Sequence, residues 1–113
     1  MSVTIYHNPR CSKSRQTLAI LKEKGVDHDI VEYLKEPPSK AELKRILGML
    51  GMKAQDVIRK KEAREAGLDT ASMNEAALID AMVANPVIIE RPIVVAGDRA
   101  AMGRPPENVL SII

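Results

Sequence analysis

Tryptophan and phenylalanine are absent from the 113 residues, and tyrosine occurs only twice, as Tyr6 and Tyr33. Single-stranded nucleic acids are commonly bound by stacking bases on aromatic side chains, and this chain offers little for that. The 17 basic residues nearly balance the 15 acidic ones, and the longest basic run is only Arg59-Lys60-Lys61. We therefore expect no nucleic-acid partner.

Cysteine occurs once, as Cys11, so no intramolecular disulfide can form, and this favours a reducing compartment. No apolar run reaches membrane-spanning length, and Met1-Ser2-Val3-Thr4 leads into strand-like sequence rather than a signal segment. We expect a cytoplasmic protein with no membrane contact. One cysteine and two histidines make no recognisable metal site, so neither a metal nor a bound organic cofactor is expected.

The length and composition favour one globular domain spanning residues 1–113, since 45% of the residues are hydrophobic and 28% are charged. A chain of this length buries enough surface to hold a core without disulfides or a structural metal.

Strand and helix patterns alternate along the chain. The predicted elements are, in order, a strand over 3–6, a helix over 12–24, a strand over 28–33, a helix after the capping box Ser39–Glu42, helical turns over 51–70, a helix after a second capping box Ser72–Glu75, an extended segment over 87–89, strands over 93–96 and 99–102, and a short helix reaching 110. The first strand-helix-strand succession predicts two parallel strands. The whole order, βαβ, helical insertion, ββα, predicts an α/β thioredoxin-like fold with a small mixed sheet flanked by helices.

Cys11 is expected where the first strand ends and the first helix begins. Free backbone N–H groups and the positive end of the helix dipole would face its sulfur there, and Arg10, Lys13 and Arg15 add positive charge. These features favour a reactive thiolate and can also bind an oxyanion. Two alternatives stay open: the cysteine is a small buried hydrophobe, or the loop is a solvated turn whose charges serve solubility.

The segment from His7 to Leu18, HNPRCSKSRQTL, closely resembles the active-site segment of the glutaredoxin-coupled, ArsC-type arsenate reductases. The resemblance continues over nearly the whole chain. It includes Tyr33-Leu34, Pro37-Pro38, Ile58-Arg59-Lys60, Glu90-Arg91-Pro92-Ile93-Val94-Val95 and Arg104-Pro105. Many members read Cys-Gly-Thr-Ser-Arg where this chain reads Cys11-Ser12-Lys13-Ser14-Arg15, and they carry a longer C-terminal tail.

The resemblance implies that Cys11 is the nucleophile and that three arginines surround the oxyanion: Arg59, Arg91 and Arg104. Guanidinium groups can hold the oxygens of such an ion and offset its charge. Supporting roles are assigned to His7, Asn8, Ser14, Arg15 and Pro92, and the bond before the proline is expected to be cis, as is usual at that place in the fold.

Without the resemblance, each of these residues has a plainer interpretation. An isolated arginine is usually a surface residue. A histidine at a strand end is commonly structural, a serine in a first helical turn is ordinary, and a trans proline can begin an edge strand.

The activity that the resemblance implies is reduction of arsenate to arsenite, with glutathione as co-substrate and glutaredoxin as protein partner. One rival is a glutaredoxin-like thiol oxidoreductase without arsenate specificity, suggested by the Cys-x-x-Ser spacing of Cys11 and Ser14. The other is an Spx-like regulator that binds RNA polymerase, although such regulators commonly carry Cys-x-x-Cys, which this chain lacks.

Overall fold

The structure is a computed structural model that describes residues 2–113, which fall into two compact units. The first unit is formed by the chain up to Glu36 together with Arg91–Ile113, and the second by Pro37–Glu90. The expectation of a single domain stays a prediction.

Four strands form one mixed sheet in the first unit, in the order β2-β1-β3-β4. Their bounds are β1 Val3–His7, β2 Asp29–Glu32, β3 Ile93–Ala96 and β4 Arg99–Met102. β1 pairs parallel with β2, as predicted, and antiparallel with β3. β3 and β4 form the predicted hairpin, in which Gly97 takes a positive φ of 64° that glycine adopts at little cost.

Helix α1 (Ser12–Glu23) and a 3-10 helix (Pro106–Ser111) contribute to the core of this unit. The core is built from alternate residues of the strands and from the apolar faces of these two helices. Its buried members are Val3, Ile5, Leu21, Val94, Ala96, Val109 and Ile112. This packing holds the start of α1 beside the end of β1.

The second unit is helical, with α2 (Lys40–Leu50), α3 (Lys60–Glu65) and α4 (Glu75–Ala84) joined by short 3-10 turns. α2 begins at the predicted capping box, in which the Ser39 hydroxyl accepts from Glu42 N and the Glu42 carboxylate accepts from Ser39 N. It ends at Gly51, which has a left-handed φ of 66°.

One element prediction in the second unit is wrong, and another is correct only in part. α4 is capped by Asn74, whose side-chain oxygen accepts from Ala77 N, whereas the Ser72 hydroxyl donates to the Asp69 carbonyl. The predicted extended segment over 87–89 is correct only at Ile89, which has extended backbone and forms an isolated antiparallel bridge with Ile58. Val87 and Ile88 belong instead to the 3-10 turn Pro86–Ile88, because proline suits the first position of a helical turn.

Elsewhere the predicted bounds differ from the observed ones by one or two residues, as expected for element ends. Among residues 2–113, no helix is both long enough and apolar enough to cross a membrane.

Candidate active site around Cys11

Cys11 is the N-cap residue of α1, with extended backbone, and its side chain is half-buried. The loop before it is closed by two hydrogen bonds to Asn8: Cys11 N donates to the Asn8 carbonyl, and Arg10 N donates to the Asn8 side-chain oxygen. The Cys11 carbonyl accepts from Arg15 N, which begins the helical ladder. The sulfur therefore lies at the end of α1 where backbone N–H groups are free.

Two of the three predicted arginines lie at the sulfur. Arg104 Nη2 is 3.5 Å from Cys11 Sγ, and the Arg91 side chain is within hydrogen-bonding reach of the same atom. Arg104 is oriented by its Nε, which donates to the Arg91 carbonyl at 2.8 Å. One guanidinium is thus tied to the backbone of the other arginine.

The surroundings of Cys11 act on its pKa in opposite directions. Burial raises the pKa of the thiol, whereas the backbone N–H of Ser14, the Arg91 side chain, the backbone N–H of Lys13 and the charge of Arg104 all lower it. The lowering effects are larger together, so the pKa of Cys11 lies below the ordinary value of a thiol. This agrees with the thiolate expected from the sequence.

His7 and Ser14 tie the end of β1 to the first turn of α1. His7 Nδ1 and Ser14 Oγ are hydrogen-bonded at 2.6 Å, and Ser14 Oγ also accepts from Asn8 N at 3.0 Å. All three residues are buried. Burial lowers the pKa of His7, and the charges of Lys22 and Arg15 lower it too. The charge of Glu32 raises the pKa, but the net direction is downward. A neutral imidazole therefore faces Ser14 at neutral pH.

The other predicted supporting residues have structural contacts. Arg15 Nη1 donates to the Pro9 carbonyl at 3.0 Å and so braces the loop before Cys11. The Arg91-Pro92 bond is cis, as the resemblance implied, and Arg104-Pro105 is also cis, which was not foreseen.

Gly103 packs closely between two residues of the same unit. A Cβ there would come within 2.5 Å of Thr17 Oγ1 and 2.7 Å of Pro92 Cγ. Only glycine fits without a shift of these neighbours. The close approach holds β4, and hence Arg104, beside α1.

Arg59, the third predicted arginine, lies in the second unit, where it precedes α3. Its guanidinium donates to the carboxylates of Glu62 and Glu90, with Nη1 2.7 Å from the Glu90 oxygen. Burial lowers the pKa of Arg59, but the two carboxylates raise it by more, so the pKa lies above its ordinary value. Its place around an oxyanion stays a prediction.

Tyr33 is a residue of this region to which the sequence analysis assigned no role. It follows β2 directly and is only 2% exposed. The side chains of Arg91 and Asn8 and the charge of Cys11 all act on its hydroxyl. The available signal was its position after a parallel strand, since the carboxyl ends of β1 and β2 meet at one edge of the sheet.

The described part of the chain, residues 2–113, contains no cluster of three or more histidine, cysteine or acidic side chains able to hold a metal ion. The groups that converge on Cys11 are instead guanidinium and backbone N–H groups, which are donors suited to an anion.

Known protein families, sequences and solved structures match this chain over nearly its whole length. Residues 6–112 match the ArsC family. The chain is 54% identical to the uncharacterized protein YfgD of Escherichia coli K12, covering 98% of this chain and 96% of that protein. It is 45% identical to arsenate reductase of Haemophilus influenzae, covering 100% of both chains. The solved arsenate reductase of Vibrio cholerae superposes with a TM-score of 0.88 at 43% identity, covering 100% of this chain and 98% of that one.

These matches, together with the mixed sheet and its helices, confirm the predicted thioredoxin-like fold class. They extend over essentially the full length of this chain and of its relatives. The chain therefore belongs to the ArsC family.

Proposed function

We propose that this chain is an arsenate reductase in which Cys11 is the nucleophile and glutathione and glutaredoxin supply the electrons. The observation that carries the proposal is the position of Cys11, a thiol of lowered pKa, at the N-terminus of α1 with the Arg91 and Arg104 side chains beside its sulfur. A thiolate and an arsenate ion repel each other. Two guanidinium groups beside the sulfur offset that repulsion and hold the oxygens of the ion.

The reaction begins with attack of the Cys11 thiolate on arsenic. A sulfur–arsenic bond forms and one arsenate oxygen leaves as water after protonation, with arsenic still in the +5 state. The thiol of glutathione replaces a second oxygen. The thiol of glutaredoxin then attacks the glutathione sulfur, and the two sulfurs form a mixed disulfide while arsenic takes the electron pair of the broken sulfur–arsenic bond and becomes +3. Water releases arsenite and returns Cys11 to the thiol.

No metal or bound organic cofactor enters this scheme. Its thiol donors belong to a reducing compartment, so a cytoplasmic location is part of the proposal.

The first test is arsenite production from arsenate with glutathione, glutaredoxin and a system that regenerates glutathione. We expect steady turnover by the wild type and none by Cys11→Ser. Ser111→Ala is a suitable control, because Ser111 is exposed in the C-terminal 3-10 helix. Turnover by Cys11→Ser equal to that of the wild type would contradict the proposal.

The predicted oxyanion role of the arginines has its own test. We expect Arg91→Ala and Arg104→Ala each to lower kcat/KM for arsenate by about 100-fold, the order found when a donor to a developing anion is removed. Arg59→Ala is expected to do the same if it belongs to the oxyanion site. Arg99→Ala serves as control, since Arg99 is exposed at the start of β4. Wild-type kinetics for all three variants would remove the arginines from the mechanism.

A further inference from the structure

Tyr33 is buried, yet its hydroxyl has no hydrogen bond of normal geometry with any group in residues 2–113. A buried polar group without a hydrogen bond costs free energy, and such groups are rare away from functional sites. The hydroxyl oxygen has two lone pairs and can accept as well as donate. The hydroxyl is close enough to Arg91, Asn8 and Cys11 for all three to influence its pKa.

The register of the sheet explains this placement. His7 of β1 pairs with Glu32 of β2, so the next residues, Asn8 and Tyr33, lie side by side where the two parallel strands end. On the other side of β1, Tyr6 pairs with Ile93 of β3. Arg91 comes two residues before Ile93 and therefore lies at the same end of the sheet.

The electrostatics of Tyr33 agree with this geometry. Burial raises the pKa of Tyr33, the charge of Arg91 and the nearby donor groups of Asn8 and Arg91 lower it, and the charge of Cys11 raises it again. The net direction is upward, so the phenol is neutral at neutral pH. The Asn8 and Arg91 side chains are thus close enough for a small adjustment to complete a hydrogen bond, and such bonds often tighten only in the working state of a site.

We propose that Tyr33 is a positioning residue for Arg91: its hydroxyl oxygen accepts a hydrogen bond from the Arg91 guanidinium and holds that guanidinium against the Cys11 sulfur. The guanidinium has five N–H donors in a rigid plane, so one edge can bind the phenol while another faces the sulfur.

A neutral acceptor suits this task. The phenol orients Arg91 without cancelling its charge, so the full positive charge acts on the sulfur and on a bound oxyanion. Arg59 provides a contrast in the second unit, since two carboxylates hold it and offset its charge.

The test is the pH dependence of Cys11 alkylation by iodoacetamide in the unmodified full chain. Tyr33→Phe keeps the ring but removes the acceptor. We expect the alkylation rate at a pH below the thiol midpoint to fall about threefold to tenfold, as for the loss of one hydrogen bond of ordinary strength. Tyr6→Phe is the matched control, because it removes the only other phenol hydroxyl, and it should leave the rate unchanged.

A double-mutant cycle shows whether the effect passes through Arg91. We expect Arg91→Ala to lower the same rate, and Tyr33→Phe to cause no further fall when added to Arg91→Ala. Thermal unfolding of each variant reports whether the fold is retained. A merely structural hydroxyl would change the unfolding temperature without moving the pH profile.

An unchanged pH profile for Tyr33→Phe, or the same fall in the Arg91→Ala background, would overturn the inference. The inference rests on the proposed role of Cys11, but its test needs no arsenate. If arsenate turnover is normal and the profile is unchanged, only the inference fails. If the profile moves as expected in a protein that does not reduce arsenate, the proposed substrate fails and the inference stands.

Discussion

The pKa of Cys11 is set by neighbouring groups that act in opposite directions. Burial alone would keep a thiol protonated, and here it is the largest single influence on the pKa of Cys11. Two backbone N–H groups and two guanidinium side chains outweigh it together. The reactive state of this sulfur is therefore a collective property of its neighbours, and removing any one of them should shift it.

We predict that the pH midpoint of Cys11 alkylation lies below that of a short unstructured peptide with one cysteine and blocked termini, measured in the same buffer. Since a lowered pKa leaves more thiolate at neutral pH, arsenate reduction should rise with pH and level off above that midpoint. Arg104→Gln should move the midpoint upward, because it removes a positive charge 3.5 Å from the sulfur. Arg99→Gln, at an exposed position, should leave it unchanged. A wild-type midpoint at or above that of the blocked cysteine peptide would contradict an activated thiolate.

Gly103 is the residue whose substitution should most directly disturb packing around the site. We predict that Gly103→Ala destabilises the protein by about 1–3 kcal/mol, because its Cβ would force Thr17 or Pro92 to move. Gly48→Ala is the matched control. It lies inside α2 with open space for a Cβ, so we expect about 0.5–1 kcal/mol of stabilisation. Urea unfolding measures both, and equal effects of the two substitutions would refute the close-packing argument.

The N-caps of α2 and α4 show that the same sequence pattern can form a capping box at one helix and not at another. Both predicted capping boxes have a serine three residues before a glutamate, and only the one at Ser39 forms. At the second, Asn74 is one residue before α4, and its side-chain oxygen reaches Ala77 N. Asparagine and serine are about equally good N-caps, so the competition was decided by which residue the preceding 3-10 turn, Thr70–Ser72, brought to the helix start.

We predict that Asn74→Ala costs about 0.5–2 kcal/mol of stability, the usual range for loss of an N-cap. Ser72→Ala should cost less than about 0.5 kcal/mol, since its exposed hydroxyl donates only to the Asp69 carbonyl. Chemical denaturation of the two variants side by side measures both losses of stability and shows which residue caps α4. A larger loss of stability for Ser72→Ala than for Asn74→Ala would indicate that Ser72, not Asn74, is the N-cap of α4.

At the scale of the whole molecule, the cysteine count constrains the reaction. A reductase must return its sulfur to the thiolate after each cycle, and attack by a second thiol is the usual route. This chain contains no second cysteine. The second and third thiols of the proposed reaction must therefore come from other molecules.

We predict that the protein alone forms at most a Cys11 adduct with arsenate and releases no arsenite in sustained turnover. Glutathione plus glutaredoxin should restore turnover, whereas thioredoxin should substitute poorly, because the proposed intermediate contains glutathione. Arsenite release measured with each thiol system tests this. Sustained turnover with thioredoxin as the only thiol source would refute the glutaredoxin assignment, and no turnover with either would favour a binding or regulatory role.

Local sequence patterns were sufficient to predict much of this protein. The strand before Cys11, the helix after it, the β3–β4 hairpin and the cap at Ser39 all depend on residues within a few positions of one another. Alternation, helical periodicity and capping chemistry act over that range. The position of Cys11 at the start of α1 follows from them. The parallel pairing of β1 with β2 was predicted instead from the succession of strand, helix and strand.

Tertiary structure decided what surrounds the sulfur. Arg91 and Arg104 come from distant parts of the chain and reach Cys11 because β3 pairs with β1, because β4 pairs with β3, and because Gly103 allows the close approach to α1. The parallel register of β2 places Tyr33 at the same end of the sheet as Arg91. Such contacts depend on strand order and register, which are set by the packing of the whole sheet rather than by neighbouring residues, so no local pattern could reveal them.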